Sequence, residues 1–241
     1  MNKETLTPKL TVHRASSRGA AEHGWLSTRH SFSFGRWYHP SRLGFGALRV
    51  LNDDKVTAGR GFGAHDHDNM EIVSIVTAGK LAHRDDLGNE GSLEAGEVQV
   101  MSAGSGIRHS EYNGGKEVLA FFQIWIIPGT LGVVPRYDRR AFPDEGPGEL
   151  LLVAPVGHRA SALHIYQDAY ISRLTLDAGY PLEYTLKGSG HGTYFFVVEG
   201  SVVIAGERLE PRDALGVENL DQVALSAGGR AVVLAIEVPV N

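Results

Sequence analysis

Two pairs of residues in this chain have the types and spacing to do chemistry. His65 and His67 flank a single residue, and His109 and Glu111 repeat that separation about forty residues later. In an extended strand, residues two apart point to the same face. Two such strands can aim three imidazoles and one carboxylate into one space. That ligand set suits a hard-to-borderline divalent transition metal and leaves coordination positions open for a reactant. A lone His-x-His on a strand is more often a surface or core feature; the two segments together carry the metal reading.

The elements that carry these residues read as strands. Thirty glycines and many short β-branched runs between turn signals predict an all-β chain. Strands are expected over Gly46–Leu51, ending at a turn Asn52-Asp53-Asp54, and over Glu71–Thr77, Lys80–His83, Gly96–Ser102 and Leu119–Ile127. Residues 138–148 are charged, carry two prolines and two glycines, and read as a linker. Strands resume over Leu150–Pro155, Ala169–Leu176, Thr193–Val198, Ser201–Ala205 and Ala231–Val238, with hairpin turns at Glu199-Gly200 and Ala205-Gly206-Glu207. The segment Glu210–Gly216 echoes Leu93–Val98, which suggests duplication of one barrel. The expected organisation is two small β-barrels: a metal-binding domain over 1–137, the linker 138–148, and a second domain over 149–241.

Composition narrows the function classes. The chain has 241 residues, no cysteine, three methionines and a formal net charge of -5. The mildly acidic balance gives no support to direct nucleic-acid binding, which wants a basic face. Without cysteine there are no disulfides, zinc-thiolate sites or thiol catalysis. The start, Met1-Asn2-Lys3-Glu4-Thr5, lacks the apolar region of a signal peptide, and no run approaches a membrane span. A soluble cytoplasmic protein is expected.

The glycines around the histidines sharpen the reading. Gly59 lies six positions before His65; His67, Glu71 and Gly79 follow, and the second segment runs Gly96, Gly104, His109, Glu111, Asn113. This resembles the two cupin motifs, Gly-x5-His-x-His-x3-Glu-x6-Gly and Gly-x5-Pro-x-Gly-x2-His-x3-Asn. Glu71 to Gly79 is one residue too long, Ser102 stands in place of the proline, and His109 arrives two residues late. Those departures resemble the pirin family within the cupins. The likeness extends over His23-Gly24-Trp25-Leu26, His30-Ser31-Phe32-Ser33-Phe34, Gly44–Val50, the run Met101–Asn113 and Phe122–Ile126. It is closest to bacterial pirin-like quercetin 2,3-dioxygenases.

The resemblance implies a bicupin of two jelly-roll β-barrels, with the second degenerate. It implies one metal held by His65, His67, His109 and Glu111, with Glu111 also acting as the base. The metal would be Fe2+ first, with Ni2+, Mn2+, Co2+, Cu2+ or Zn2+ compatible. Glu71, the usual cupin carboxylate, shares parity with His67 if no bulge intervenes; it is expected behind the ligands or in the pocket, with ligation as the alternative. The implied activity is oxygenolysis of a flavonol such as quercetin, with a small planar aromatic substrate and dioxygen as partners. Two alternatives stand beside it: a non-enzymatic, metal-dependent regulator that binds a protein partner, and a cupin enzyme acting on another small aromatic or enol substrate. A monomer is implied.

Other residues take weaker readings. Phe32, Phe34, Trp37 and Tyr38 form an aromatic cluster that suits core packing, or a flat wall beside the metal, with Phe34 the pocket candidate. Phe62 is placed at the pocket mouth. Gln123, polar in an apolar strand, needs a partner, either a ligand histidine or another core group. His83 is expected at the surface or behind the ligands. His158, His164 and His191 are scattered through the second half. Gly44 and Gly46 form no dinucleotide fingerprint, and Gly104-Ser105-Gly106 no phosphate loop.

Overall fold

The computed structural model of the chain describes residues 7–158 and 161–240; the polar segment 1–5 lies outside them. The chain is almost wholly β, with one short 3-10 turn at Ala15–Ser17. Among the described residues no helix is long and apolar enough to cross a membrane.

Two compact units result. One holds Arg18–Asp144 with Pro155–Gln167; the other holds the chain up to Ser17, Glu145–Ala154 and the chain from Asp168 on. The first unit is a pair of antiparallel sheets. The larger runs, in order, Arg136–Ala141, Glu97–Ser102, Glu71–Ala78, Leu119–Ile126, Leu48–Val56, Leu26–His30 and Gly19–Glu22. The smaller runs Gly61–His67, Ile107–Asn113, Lys80–Asp85 and Glu90–Glu94. Leu26, Val56, Val76, Leu119 and Phe121 of the large sheet pack on Leu81 and Leu93 of the small one. Burying that apolar surface holds the sheets together, at about 25 cal/mol for each Å2.

The second unit repeats the plan. One sheet contains, in order, Lys9–His13, Ala214–Glu218, His191–Glu199, Ala231–Pro239, Tyr170–Leu176 and Gly148–Pro155. The other runs Leu182–Thr185, Gln222–Ala227, Val202–Ile204 and Glu207–Leu209. Two cupin-type domains, all-β, are therefore present as expected. The hairpin turn at Ala205-Gly206 is also as expected, with φ of 49° and 85°.

Three boundaries differ from the sequence reading. The linker 138–148 begins inside a strand, because Arg136–Ala141 pairs with Glu97–Ser102 at the sheet edge. The domain expected over 1–137 does not include the chain's start, since Lys9–His13 pairs with Ala214–Glu218 in the other unit. The turn expected at Asn52-Asp53-Asp54 is absent: Leu48–Val56 runs straight through it. Asn52 and Asp54 point inward and are buried, while the intervening Asp53 faces Arg18 at 3.3 Å. Polar residues there mark a polar interior, which local composition reads as a turn.

Candidate metal centre

The Gly61–His67 and Ile107–Asn113 strands pair with His109 directly opposite His65 and Ile107 opposite His67. The register shifts between His109 and Glu111, and Glu111 comes to face Phe62. This bulge lets Phe62, His65 and His67 all serve the same cavity. On the partner strand burial alternates strictly: Ile107, His109, Glu111 and Asn113 are buried, and Arg108 and Tyr112 exposed. His109 and Glu111 therefore share an inward face, as their spacing predicts.

The three imidazoles meet. Ring centroids lie 4.6 Å apart for His65–His109, 4.8 Å for His65–His67 and 5.1 Å for His67–His109. One nitrogen from each falls within 4.8 Å of the others. His65 Nδ1 donates to the Gly63 carbonyl at 2.7 Å, which leaves Nε2 as its lone-pair nitrogen. His109 is 2% exposed, yet neither of its ring nitrogens has a partner. Buried polar atoms without partners are rare enough to signal a missing ligand. Burial first, then the neighbouring imidazoles, push His67 down to about 4 and His109 down to about 3. Both are neutral at pH 7, the form that ligates a cation. The donor set fits a divalent metal.

Glu111 sits on the other side of His109. It is fully enclosed, and burial pushes its carboxyl up to about 7. Three donors hold it: Ser74 Oγ at 3.2 Å and Gln99 Nε2 at 2.5 Å on Oε1, and Gln123 Nε2 at 2.7 Å on Oε2. Gln123 thus finds its partner in Glu111, and in turn accepts from Trp125 Nε1 at 3.2 Å. Glu111, His109 and His83 form a second group with ligand atoms within 4.8 Å. His83 is buried behind the ligands, bound to Asp85 at 3.1 Å and stacked on Tyr137 at 4.2 Å. Ser74, Gln99 and Tyr137 went unseen in the sequence. For Ser74 and Gln99 the signal was polarity at inward positions of apolar strands; Tyr137, in a charged edge strand, gave none.

Glu71 lies elsewhere. Strand alternation puts it on the face of Glu71–Ala78 opposite Ser74. There it accepts from Ser102 Oγ at 2.6 Å, and it does not line the cavity. The parity argument from His67 fails because the chain turns between them, with Asn69 at φ 42°.

Beside the histidines is a cavity of about 460 Å3. Its aromatic walls are Trp25, Phe34, Phe62 and Trp125. Phe34 meets Trp125 edge-on at 5.5 Å, and Trp25 meets Phe62 at 5.4 Å. His65, His67, Glu111 and Gln123 open onto it, as do Thr28, His30, Asn52 and Asp54. The aromatic cluster, read as core packing or as a wall beside the metal, divides: Phe34 lines the cavity, Phe32 is core, and Tyr38 is 70% exposed.

In the second unit His191 is held between Glu237 at 2.9 Å and Asp168 at 3.4 Å. Glu237, fully buried, also accepts from Tyr184 and from the Lys187 and Gly188 amides. That closed network ties down the loop before the His191–Glu199 strand.

Comparison with known proteins agrees with this fold. Residues 11–126 match the Pirin family model, and residues 151–238 match the model of the quercetinase C-terminal cupin domain. A putative quercetin 2,3-dioxygenase of Pseudomonas aeruginosa is 46% identical over 222 residues, covering 91% of this chain and 95% of that protein. The quercetin 2,3-dioxygenase of Escherichia coli K12 is 39% identical, covering 95% of this chain and 99% of that protein. Among solved structures, the Escherichia coli bacterial pirin YhhW in complex with nickel(II) superposes with a TM-score of 0.91 at 38% identity, covering 96% of this chain and 99% of that one.

Proposed function

From the premise that this chain belongs to the pirin family, we propose that it is a metal-dependent dioxygenase that cleaves flavonols such as quercetin. The observation that carries the reading is His109: a buried imidazole with two unpartnered nitrogens, beside two more imidazoles, at an aromatic-walled cavity. His65, His67, His109 and Glu111 would hold one divalent transition metal ion. A relative of this chain is known with nickel(II), and nitrogen and oxygen donors are also compatible with iron(II), manganese and cobalt. The metal would supply a Lewis acid that makes a flavonol 3-hydroxyl easier to ionise.

The chain's own groups do the remaining work. Glu111, hydrogen-bonded on both carboxyl oxygens beside the histidines, would accept that proton. Gln99, Gln123 and Ser74 hold the carboxylate in one orientation through the transfer. Trp25, Phe34, Phe62 and Trp125 offer flat apolar faces to planar rings and keep bulk water from the reacting carbon. Dioxygen then opens the central ring, with release of carbon monoxide.

The test is metal-loading followed by quercetin absorbance, with and without oxygen. Oxygen-dependent loss of the flavonol band, absent in His65→Ala and reduced at least ~100-fold in Glu111→Gln, is expected. Full metal occupancy without turnover for any of the candidate ions would overturn the reading.

A further inference from the structure

The Leu48–Val56 strand carries two polar residues into the cavity at Asn52 and Asp54, opposite His30 and Thr28 of the Leu26–His30 strand. The Asn52 Oδ1 and His30 Nδ1 pair at 2.9 Å, so that half is satisfied. Asp54 is not. Thr28 hydrogen-bonds its carboxyl, but Oδ1 is buried without a partner and the residue is only 3% exposed. A buried carboxyl oxygen left unpaired is destabilising. A strand pattern that would accept an apolar residue at this position keeps a carboxyl instead.

We infer that Asp54, braced by Thr28 and flanked by the Asn52–His30 pair, is a hydroxyl-recognition subsite, and that it selects planar aromatic ligands bearing a phenolic hydroxyl remote from the group that meets the histidines. The aromatic walls suit a flat ligand, and Asp54, which lines the same cavity, has one carboxyl oxygen without a hydrogen-bond partner. Burial pushes Asp54 up to about 7, so the carboxyl exchanges readily between accepting and donating, which suits a neutral hydroxyl better than a cation. This deepens the flavonol reading and rests on it: among flavonols, those with further hydroxyls are the preferred substrates.

The test is calorimetric titration under nitrogen with two flavonols, quercetin and 3-hydroxyflavone, which keeps only the 3-hydroxyl. Wild type is expected to bind quercetin roughly tenfold tighter, the worth of one buried hydrogen bond. Asp54→Ala lowers quercetin affinity about tenfold and leaves 3-hydroxyflavone within about twofold; Asp54→Asn, which keeps the shape, lies between. Near-ultraviolet circular dichroism confirms that both variants are folded. Equal loss for both ligands, or no loss for quercetin, overturns the subsite. If wild type binds neither flavonol, the flavonol reading itself falls. The subsite is then judged on the same variants and criterion with 4-hydroxybenzohydroxamate against benzohydroxamate, which lacks only the remote hydroxyl.

Discussion

Glu111 is the residue on which the site turns. A carboxyl enclosed on every side is driven toward its neutral form, and three side-chain donors pull it back. Gln123 supplies the bond to Oε2. In Gln123→Leu that bond is lost, so the carboxyl is held still higher. A base must be ionised to act, and the acid limb of the pH dependence of kcat/KM is expected to move to higher pH, by roughly one pH unit for a bond of this kind. A limb that stays in place would show that ionisation of Glu111 does not limit the reaction. Glu71, similar in sequence setting, takes no part because its strand face points away from Ser74.

At the scale of elements, register decides what the donors can reach. Gln99, Ser74, Gln123, Asn52 and His30 stand directly opposite one another across five strands. They form a polar row through the sheet, with Glu111 bound at one end and the Asn52–His30 pair at the other. The facing strand pair depends on a close backbone approach: a Cβ on Gly61 would lie 2.2 Å from the Glu111 carbonyl oxygen. Gly61→Ala should therefore push the His65–His67 strand off its partner. The expected cost is about 1–3 kcal/mol in denaturant unfolding, with metal content falling in the same samples by elemental analysis. Retained metal at full stability would show that the strands have slack. In the second unit the strands in the corresponding order are Leu182–Thr185 and Gln222–Ala227. There Tyr184 faces Val223 and Leu182 faces Leu225 within the apolar core. Apolar side chains and a tyrosine stand on these strands in place of the histidines and glutamate of the first unit, which is what makes that domain degenerate.

For the whole molecule, the two units solve the same edge problem with different parts of the chain. Arg136–Ala141 covers the Glu97–Ser102 edge in one, and Lys9–His13 covers the Ala214–Glu218 edge in the other. An uncovered strand edge is a template for association. Deletion of residues 1–13 removes that cover and the His13–Tyr194 hydrogen bond. The melting temperature is expected to fall by roughly 5 °C or more, and light scattering should report self-association. A monodisperse protein of unchanged melting temperature would show that the edge needs no cover.

Much of this was legible in the residue string. Period-two spacing marks His65, His67, His109 and Glu111 without a fold, because strand geometry alone puts alternate residues on one face. Turn residues and β-branched runs mark an all-β chain, and Gln123 announces a buried partner by being polar in an apolar run. What required the tertiary structure was pairing. Which strand lies beside which, and in what register, is a non-local outcome. It placed Gln99 and Ser74 on Glu111, carried Asn52 and Asp54 inward where their types suggest a turn, took Glu71 out of the pocket, and assigned Lys9–His13 to the far half of the chain. Local composition reports what a residue prefers; contacts between distant strands decide what it meets.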